Sequence, residues 1–317
     1  MKVYVCCPAN LTTGGPEALH QLVDALRLQG CEAYISYHPF SDEHVTPHAY
    51  ERYSVAARPP VDQPGSVVVV PETMTFLLRQ FRRALPVVWW LSVDAYFGWN
   101  HKSRLEDWTR YAFQRLARKC YPFGQLHRCR HAVQSEYARV FLKERDLDAV
   151  PLSDYLNKEL LTPSAAVQRS PRVLYNPRKR MHVTQKLIDA CPGVEFKPLI
   201  GLSRPELREL LATSMMYIDF GHHPGKDRMP REAAASGCVV VTNRRGSAGY
   251  REDVPIPDRY KVDDAALGFV ERFRHTVAEI MSDYTSSAAE FQSYVEHIRN
   301  QKQVFLDQAA ALARSFG

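Results

Sequence analysis

Residues 217–243 read YIDFGHHPGKDRMPREAAASGCVVVTN, and the order of residue types in this stretch decides the fold. Tyr217-Ile218-Asp219-Phe220 is short and apolar. Gly221, Pro224, Gly225 and Pro230 then break the chain into a loop, and Glu232 to Ser236 is a small-residue helix that Gly237 stops. Cys238-Val239-Val240-Val241 reads as a second buried strand. Strand, loop, helix and strand in this order form one unit of a parallel α/β sheet. The loop leaves the carboxyl end of a strand and opens a helix. Such sheets bind phosphorylated ligands there, because helix N-terminal N–H groups are unpaired and the helix dipole favours an anion.

The same alternation extends in both directions, as expected of parallel βαβ units. Val3 to Cys7 leads through Thr12-Thr13-Gly14-Gly15-Pro16-Glu17 into a helix with Leu19, Leu22, Val23 and Leu26 on one face. Ala33 to Tyr37, Ser66 to Val70, Pro86 to Leu91 and Ala132 to Ser135 read as the strands that follow, with a helix from Tyr137 to Glu144. Between Tyr155 and Pro171 the chain turns polar and loses its periodicity, which reads as a linker. Strands at Arg172 to Asn176 and Val194 to Leu199 then flank a helix from Val183 to Cys191. Ser203 caps a further helix, with Glu206 completing a capping box. After Asp258 the chain is mostly helical. The expected division is into residues 1–158 and 159–317, each a Rossmann-like α/β domain, with the last helix free to pack back onto the first.

A chain of 317 residues is long enough for two domains and a large core. The formal net charge of +6, with a pI near 8.9, fits anionic ligands or a membrane surface. Seven cysteines, scattered and without C-x-x-C spacing, read as reduced core residues, so the expected location is cytoplasmic. No apolar run approaches the roughly 20 residues that span a bilayer, so any membrane contact is expected to be peripheral, at the inner membrane face. The segment Lys102 to Arg130 suits such a surface or an anionic glycan. Its eight cations (Lys102, Arg104, Arg110, Arg115, Arg118, Lys119, Arg128, Arg130) outnumber two acids, with Trp108, Tyr111, Phe113, Tyr121 and Phe123 interleaved. A charged outer helix face with its aromatics turned inward is the alternative. The segment lacks any base-reading motif, so nucleic acid is not an expected partner.

Taken together, the two Rossmann-like halves, the Gly-Gly turn after the first strand and the late Pro-x-Glu-Ala helix resemble a GT-B glycosyltransferase. The similarity is to a divergent branch of the glycosyl transferases group 1 class, and it implies two domains facing a cleft. Residues 1–158 would then be the acceptor side, and residues 159–317 the side holding a nucleotide-sugar donor. The implied reaction moves a sugar, of hexosyl type, to a glycan or lipid-linked acceptor in surface polysaccharide or glycoconjugate synthesis. Alternatives are an epimerase or hydrolase of the same architecture, or a non-catalytic nucleotide-sugar-binding protein.

In the family's pattern, Glu232 matches the carboxylate that binds the donor ribose, and Arg178 and Lys179 match cations that grip the pyrophosphate. The family's first sugar-binding Glu is missing, and Gly225, Lys226, Asp227 and Arg228 stand in its neighbourhood. Lys226, Arg228 and Arg231 lie within six residues and would hold a diphosphate leaving group by charge-assisted bonds. A solvated loop paired with Asp227 is the alternative for them. Catalytic roles are expected for Lys226, Arg228, Asp227 and His223, and donor binding for Arg178, Lys179, Glu232, Arg231, Gly246 and Ser247. The last two would bring N–H groups and a hydroxyl to the phosphates. On the acceptor side, Gly14 and Gly15 allow close backbone approach, and Glu17, Glu72 or Asp94 could accept a proton from a hydroxyl; for Glu17 a helix-capping role is the alternative. No cofactor beyond the nucleotide-sugar substrate is expected, and no metal. His222 and His223 lack the i, i+4 spacing of a helical zinc pair, and Asp146-Leu147-Asp148 follows a charged helical run rather than a strand, as a solvated helix end does.

Overall fold

The structure, a computed structural model, describes residues 1–99, 104–161 and 168–316. Residues 162–167 of the expected linker and Lys102 of the basic segment lie outside them. The chain forms two compact units, Met1–Tyr155 with Lys302–Gly317, and Leu156–Gln301.

In the first unit six strands, β1 (Lys2–Pro8), β2 (Glu32–His38), β3 (Ser66–Pro71), β4 (Leu85–Trp90), β5 (Arg130–Val133) and β6 (Ala149–Pro151), pair in parallel in the order β2-β1-β3-β4-β5-β6. Both faces are covered, so side chains alternate between two cores. Val3, Val5 and Cys7 enter one, and Tyr4 and Cys6 the other. That is why β3 reads as an almost uninterrupted Val run. The helix Glu136–Lys143 ends before Asp146, which adopts a positive φ of 54°, and β6 follows directly. The Asp-Leu-Asp stretch thus lies past a helix end, as expected, but it leads into a short edge strand that periodicity missed.

The second unit has four parallel strands, β7 (Ser170–Tyr175), β8 (Glu195–Pro198), β9 (Ser214–Asp219) and β10 (Val239–Thr242), in the order β10-β9-β7-β8. The expected capping box is present: the Glu206 N–H donates to Ser203 Oγ, and the Ser203 N–H donates to Glu206 Oε2. The helix expected from Glu232 instead runs Arg228–Ala235. Pro230 lies in its first turn, where the missing N–H has no partner to lose, so the proline does not delay the start. The long helix Gln292–Ser315 departs from the expected 159–317 grouping. Phe305, Ala309 and Leu312 share one face and join the core of the first unit, where the Phe305 ring lies 6.4 Å from that of Trp89.

Three buried titratable groups make the first unit's stability depend on pH. His20 is held neutral, with Nδ1–H donating to the Pro16 carbonyl at 2.7 Å and Nε2 bonded to the Tyr37 hydroxyl at 2.7 Å. His131 Nδ1 accepts from the Trp90 indole N–H at 3.1 Å, so its proton sits on Nε2, 3.2 Å from the Leu126 carbonyl. Burial lowers both imidazoles to about 4. Burial raises the Glu72 carboxyl to about 7. Each histidine contributes stability that is fully present above about 6.5 and is lost as pH falls towards 4. Glu72 acts in the opposite sense, contributing stability below about 4.5 that is lost as pH rises to 7. For these three groups the net between pH 6.5 and 4.5 is one extra proton on the unfolded chain, a contribution that should fall by about 1.4 kcal/mol per pH unit. All four tryptophans lie in the first unit, so urea unfolding followed by their fluorescence reads it selectively. Glu72→Gln should steepen the slope by about 1.4 kcal/mol per unit; equal slopes in the two proteins would refute the assignment.

Candidate functional site

Strand order places the site. From β7 the chain goes to β8 on one side of the sheet and returns to β9 on the other, so the loops after β7 and β9 diverge and leave a crevice at the carboxyl edge. Three loops meet there: 176–180 after β7, 220–227 after β9 and 243–247 after β10.

The floor is an ionic cluster, buried at Asp219 and His223 and half-buried at Lys179 and Asp227. Lys179 Nζ lies 2.8 Å from Asp219 Oδ2, at the end of β9, and 2.5 Å from Asp227 Oδ2, the residue preceding the helix Arg228–Ala235. His223, with no exposed surface, puts Nδ1 2.9 Å from Asp227 Oδ2 and Nε2 3.6 Å from Asp219 Oδ1. Burial alone would raise Asp227, but Lys179 and His223 hold its carboxyl far below the usual range. Burial alone would depress Lys179, but Asp227 and Asp219 hold it above its ordinary value. Asp219, His223 and Asp227 are the one group among the described residues with metal-ligand spacing, their ligand atoms lying within 4.8 Å of one another. The cation bridging the two carboxylates is the Lys179 ammonium, which any ion on those oxygens would have to displace.

The loop after β9 is braced from beneath. Arg231, expected at the donor, is 1% exposed, and it donates to the Asp227 and Lys226 carbonyls at 3.2 and 2.9 Å and to Gln301 Oε1 at 2.9 Å. It therefore shapes the loop instead of presenting its guanidinium. Ser247 is likewise engaged: its N–H donates to the His223 carbonyl at 2.8 Å and its hydroxyl to the Gly225 carbonyl at 2.6 Å, so neither points a donor at phosphate. Gly246 has φ +57°, and a Cβ there would fall 2.0 Å from the His223 carbonyl oxygen; only glycine lets the two loops approach. Asn243 completes the brace, donating to the Gly221 carbonyl at 2.7 Å and accepting from the Arg245 N–H at 3.0 Å. Sequence reasoning placed His223, Arg231, Ser247 and Lys179 against the ligand. The folded chain engages their polar atoms in the scaffold, because a loop with so many polar groups must satisfy them internally once buried.

Of the other expected cations, Arg178 is exposed, and Lys226 and Arg228 are half-buried. Arg228 Nε is 3.5 Å from Glu232 Oε1, one helical turn on, and Glu232 itself is 4% exposed. At the same edge, Arg180 and Arg245 share one buried carboxylate, at 2.5 Å and 2.8 Å from Asp264. Two guanidiniums on one carboxylate leave a net positive charge. No local pattern marks this trio, since Asp264 is 84 residues from Arg180.

In the first unit the analogous divergence lies between β1 and β3. Gly14 and Gly15 form the first turn of the helix Gly14–Leu28. A Cβ at Gly15 would be 3.9 Å from Leu91, an ordinary contact, so close approach does not require a glycine there. The carboxylates are bonded within the domain: Glu17 accepts from the Tyr53 hydroxyl at 3.0 Å, Asp94 from Tyr137 at 3.3 Å and Glu72 from the Leu91 N–H at 2.8 Å. All three are buried. Glu17 thus bonds a tyrosine of its own unit.

No protein-family model and no curated protein sequence matches the chain. Solved structures do. Sucrose-phosphate synthase from Thermosynechococcus elongatus superposes over 99% of this chain and 98% of its own, with a TM-score of 0.70 at 12% identity. WaaG, a glycosyltransferase involved in lipopolysaccharide biosynthesis, covers 96% and 98% with 0.62 at 14% identity. The catalytic domain of starch synthase IV from Arabidopsis thaliana, bound to ADP and acarbose, covers 98% and 99% with 0.54 at 8% identity. The chain has the GT-B glycosyltransferase fold, two Rossmann-like domains in one polypeptide.

Proposed function

We propose that the protein is a glycosyltransferase that transfers a hexosyl group from a nucleotide sugar to a glycan or lipid-linked acceptor in surface polysaccharide or glycoconjugate synthesis. The observation that carries this reading is the crevice at the strand-order reversal of the second sheet, with the exposed Arg178 on the loop after β7, the half-buried Lys226 and Arg228 after β9, and Arg228 Nε 3.5 Å from the buried Glu232. Arg178, Lys226 and Arg228 stabilise charge on the departing diphosphate, and Glu232 accepts the ribose hydroxyls. The Lys179, Asp219, His223 and Asp227 cluster holds the loop that presents them. The nucleotides in solved relatives of this fold, ADP with starch synthase IV and UDP with a pneumococcal O-GlcNAc transferase, support a nucleoside diphosphate as the leaving group.

The test is a melting-temperature screen with UDP-, GDP-, CMP- and dTDP-sugars, followed by nucleotide release with and without glycan acceptors. A rise with one donor and acceptor-dependent release supports transfer. Release without acceptor would point to a hydrolase or epimerase, and binding without release to a carrier. Unchanged melting with every donor at millimolar concentration would overturn the reading. Glu232→Gln should keep the fold and weaken donor binding by roughly 1.5–3 kcal/mol, the scale of one charged hydrogen bond. Calorimetry giving equal affinity for the two proteins would remove Glu232 from the ribose.

A further inference from the structure

The helix Arg104–Leu116 carries its apolar side chains on the wrong side for a core element. Leu105, Trp108, Phe113 and Leu116 are 75, 49, 62 and 85% exposed. Their spacing of i, i+3, i+8 and i+11 puts them on one face. The expectation of inward-turned aromatics holds only in part, since Tyr111, Tyr121 and Phe123 do pack inward. The Tyr111 ring lies 4.9 Å from Phe97, and Trp108 meets the Trp99 ring edge-on at 5.8 Å. The inner face is thus anchored to the domain and the helix is not free to roll its apolar stripe into the core.

Cations border this stripe. Arg110, Arg115, Arg118 and Lys119 are exposed, against one described acid, Glu106. Lys119 Nζ lies 5.8 Å from the Phe113 ring, beside the stripe and not opposite it. Arg118 adopts a positive φ of 56° and ends the helix, and Arg79 donates to its carbonyl at 2.9 Å, which fixes the turn that carries Lys119. Among the described residues no helix is long and apolar enough to cross a membrane.

We propose that this face docks on the interface of an anionic lipid bilayer, with Leu105, Trp108, Phe113 and Leu116 entering the headgroup and acyl boundary and the four cations lying at headgroup level. An apolar stripe bordered by cations matches what a negatively charged bilayer presents, apolar tails below anionic headgroups. A second copy of the chain would set the same cations against one another, so self-association is disfavoured. The attachment does not depend on the activity proposed above and is measured without any sugar nucleotide.

The test is co-sedimentation of the full chain with vesicles of phosphatidylcholine alone and of phosphatidylcholine mixed with phosphatidylglycerol. Binding is expected only with the anionic mixture. It should weaken roughly fivefold for each of Arg110→Gln and Lys119→Gln, and roughly tenfold or more for Phe113→Ser with Leu116→Ser. In the wild-type protein, brominated acyl chains should quench part of the tryptophan fluorescence, that of the exposed Trp108 and not of the buried Trp89 and Trp90. Absence of binding to anionic vesicles at low salt, or binding that Phe113→Ser with Leu116→Ser leaves unchanged, would overturn the proposal. So would tighter binding to heparin or RNA that displaces the vesicles and quenches nothing from the lipid side.

Discussion

Replacing Lys179 by methionine is expected to destabilise the second unit by about 3–5 kcal/mol, the cost of leaving buried carboxylates without their counter-charge. Asp219 has a fully buried side chain, and its Oδ2 has the Lys179 ammonium at 2.8 Å. Asp227 has the same ammonium at 2.5 Å. Without it the two carboxylates would face each other with no ammonium between them, and Asp219 would keep only the Tyr217 hydroxyl and the Gly221 N–H among the donors described for it. Calorimetry should show the melting transition of this unit falling by several degrees. Adding Asp219→Asn and Asp227→Asn to the methionine variant should restore most of the loss, because removing the whole buried cluster avoids the uncompensated charge that removing one member creates. A single Lys179→Met variant melting with the wild type would show that the cluster is not a stability determinant. Partial recovery in the triple variant with an intact fold would also make it possible to ask whether the cluster matters to turnover separately from folding.

The second large effect falls on the reaction. If donor turnover uses fixed cations, it should persist in excess EDTA, while Lys226→Ala or Arg178→Ala lowers it by roughly 10²-fold or more, the scale of losing one charge-stabilising contact at a leaving group. Both loops leave the carboxyl edge of the same sheet, from strands β7 and β9 that lie side by side. Nucleotide release is the readout. Activity that disappears with EDTA and returns with Mn²⁺, alongside wild-type rates in both variants, would instead assign the charge neutralisation to an ion. The only metal-spaced group among the described residues already holds an ammonium between its carboxylates, so an ion recruited there would have to displace Lys179, and Lys179→Ala would then tighten metal binding.

Most strands, and the grouping into two parallel sheets, were legible from the residues, because a strand buried on both faces must be apolar throughout and because Gly, Pro and capping residues punctuate the chain locally. The stretch proposed as the site was picked out by the same local signals, a polar, glycine-rich loop between a buried strand and a small-residue helix. Which atoms of that loop remain open was not legible. Whether Lys179 meets a ligand or Asp219, whether Ser247 points at phosphate or at the Gly225 carbonyl, and whether Arg231 faces outward depend on partners 40, 22 and 70 residues away. No local propensity encodes those distances. The start of the helix Arg228–Ala235, the Arg180, Asp264 and Arg245 trio, and the outward stripe at Leu105 to Leu116 are of the same kind. Each is decided by which surfaces remain to be covered once the sheets are formed, and that is a property of the packed chain, since burial and pairing are set by neighbours in space and periodicity only by neighbours in sequence.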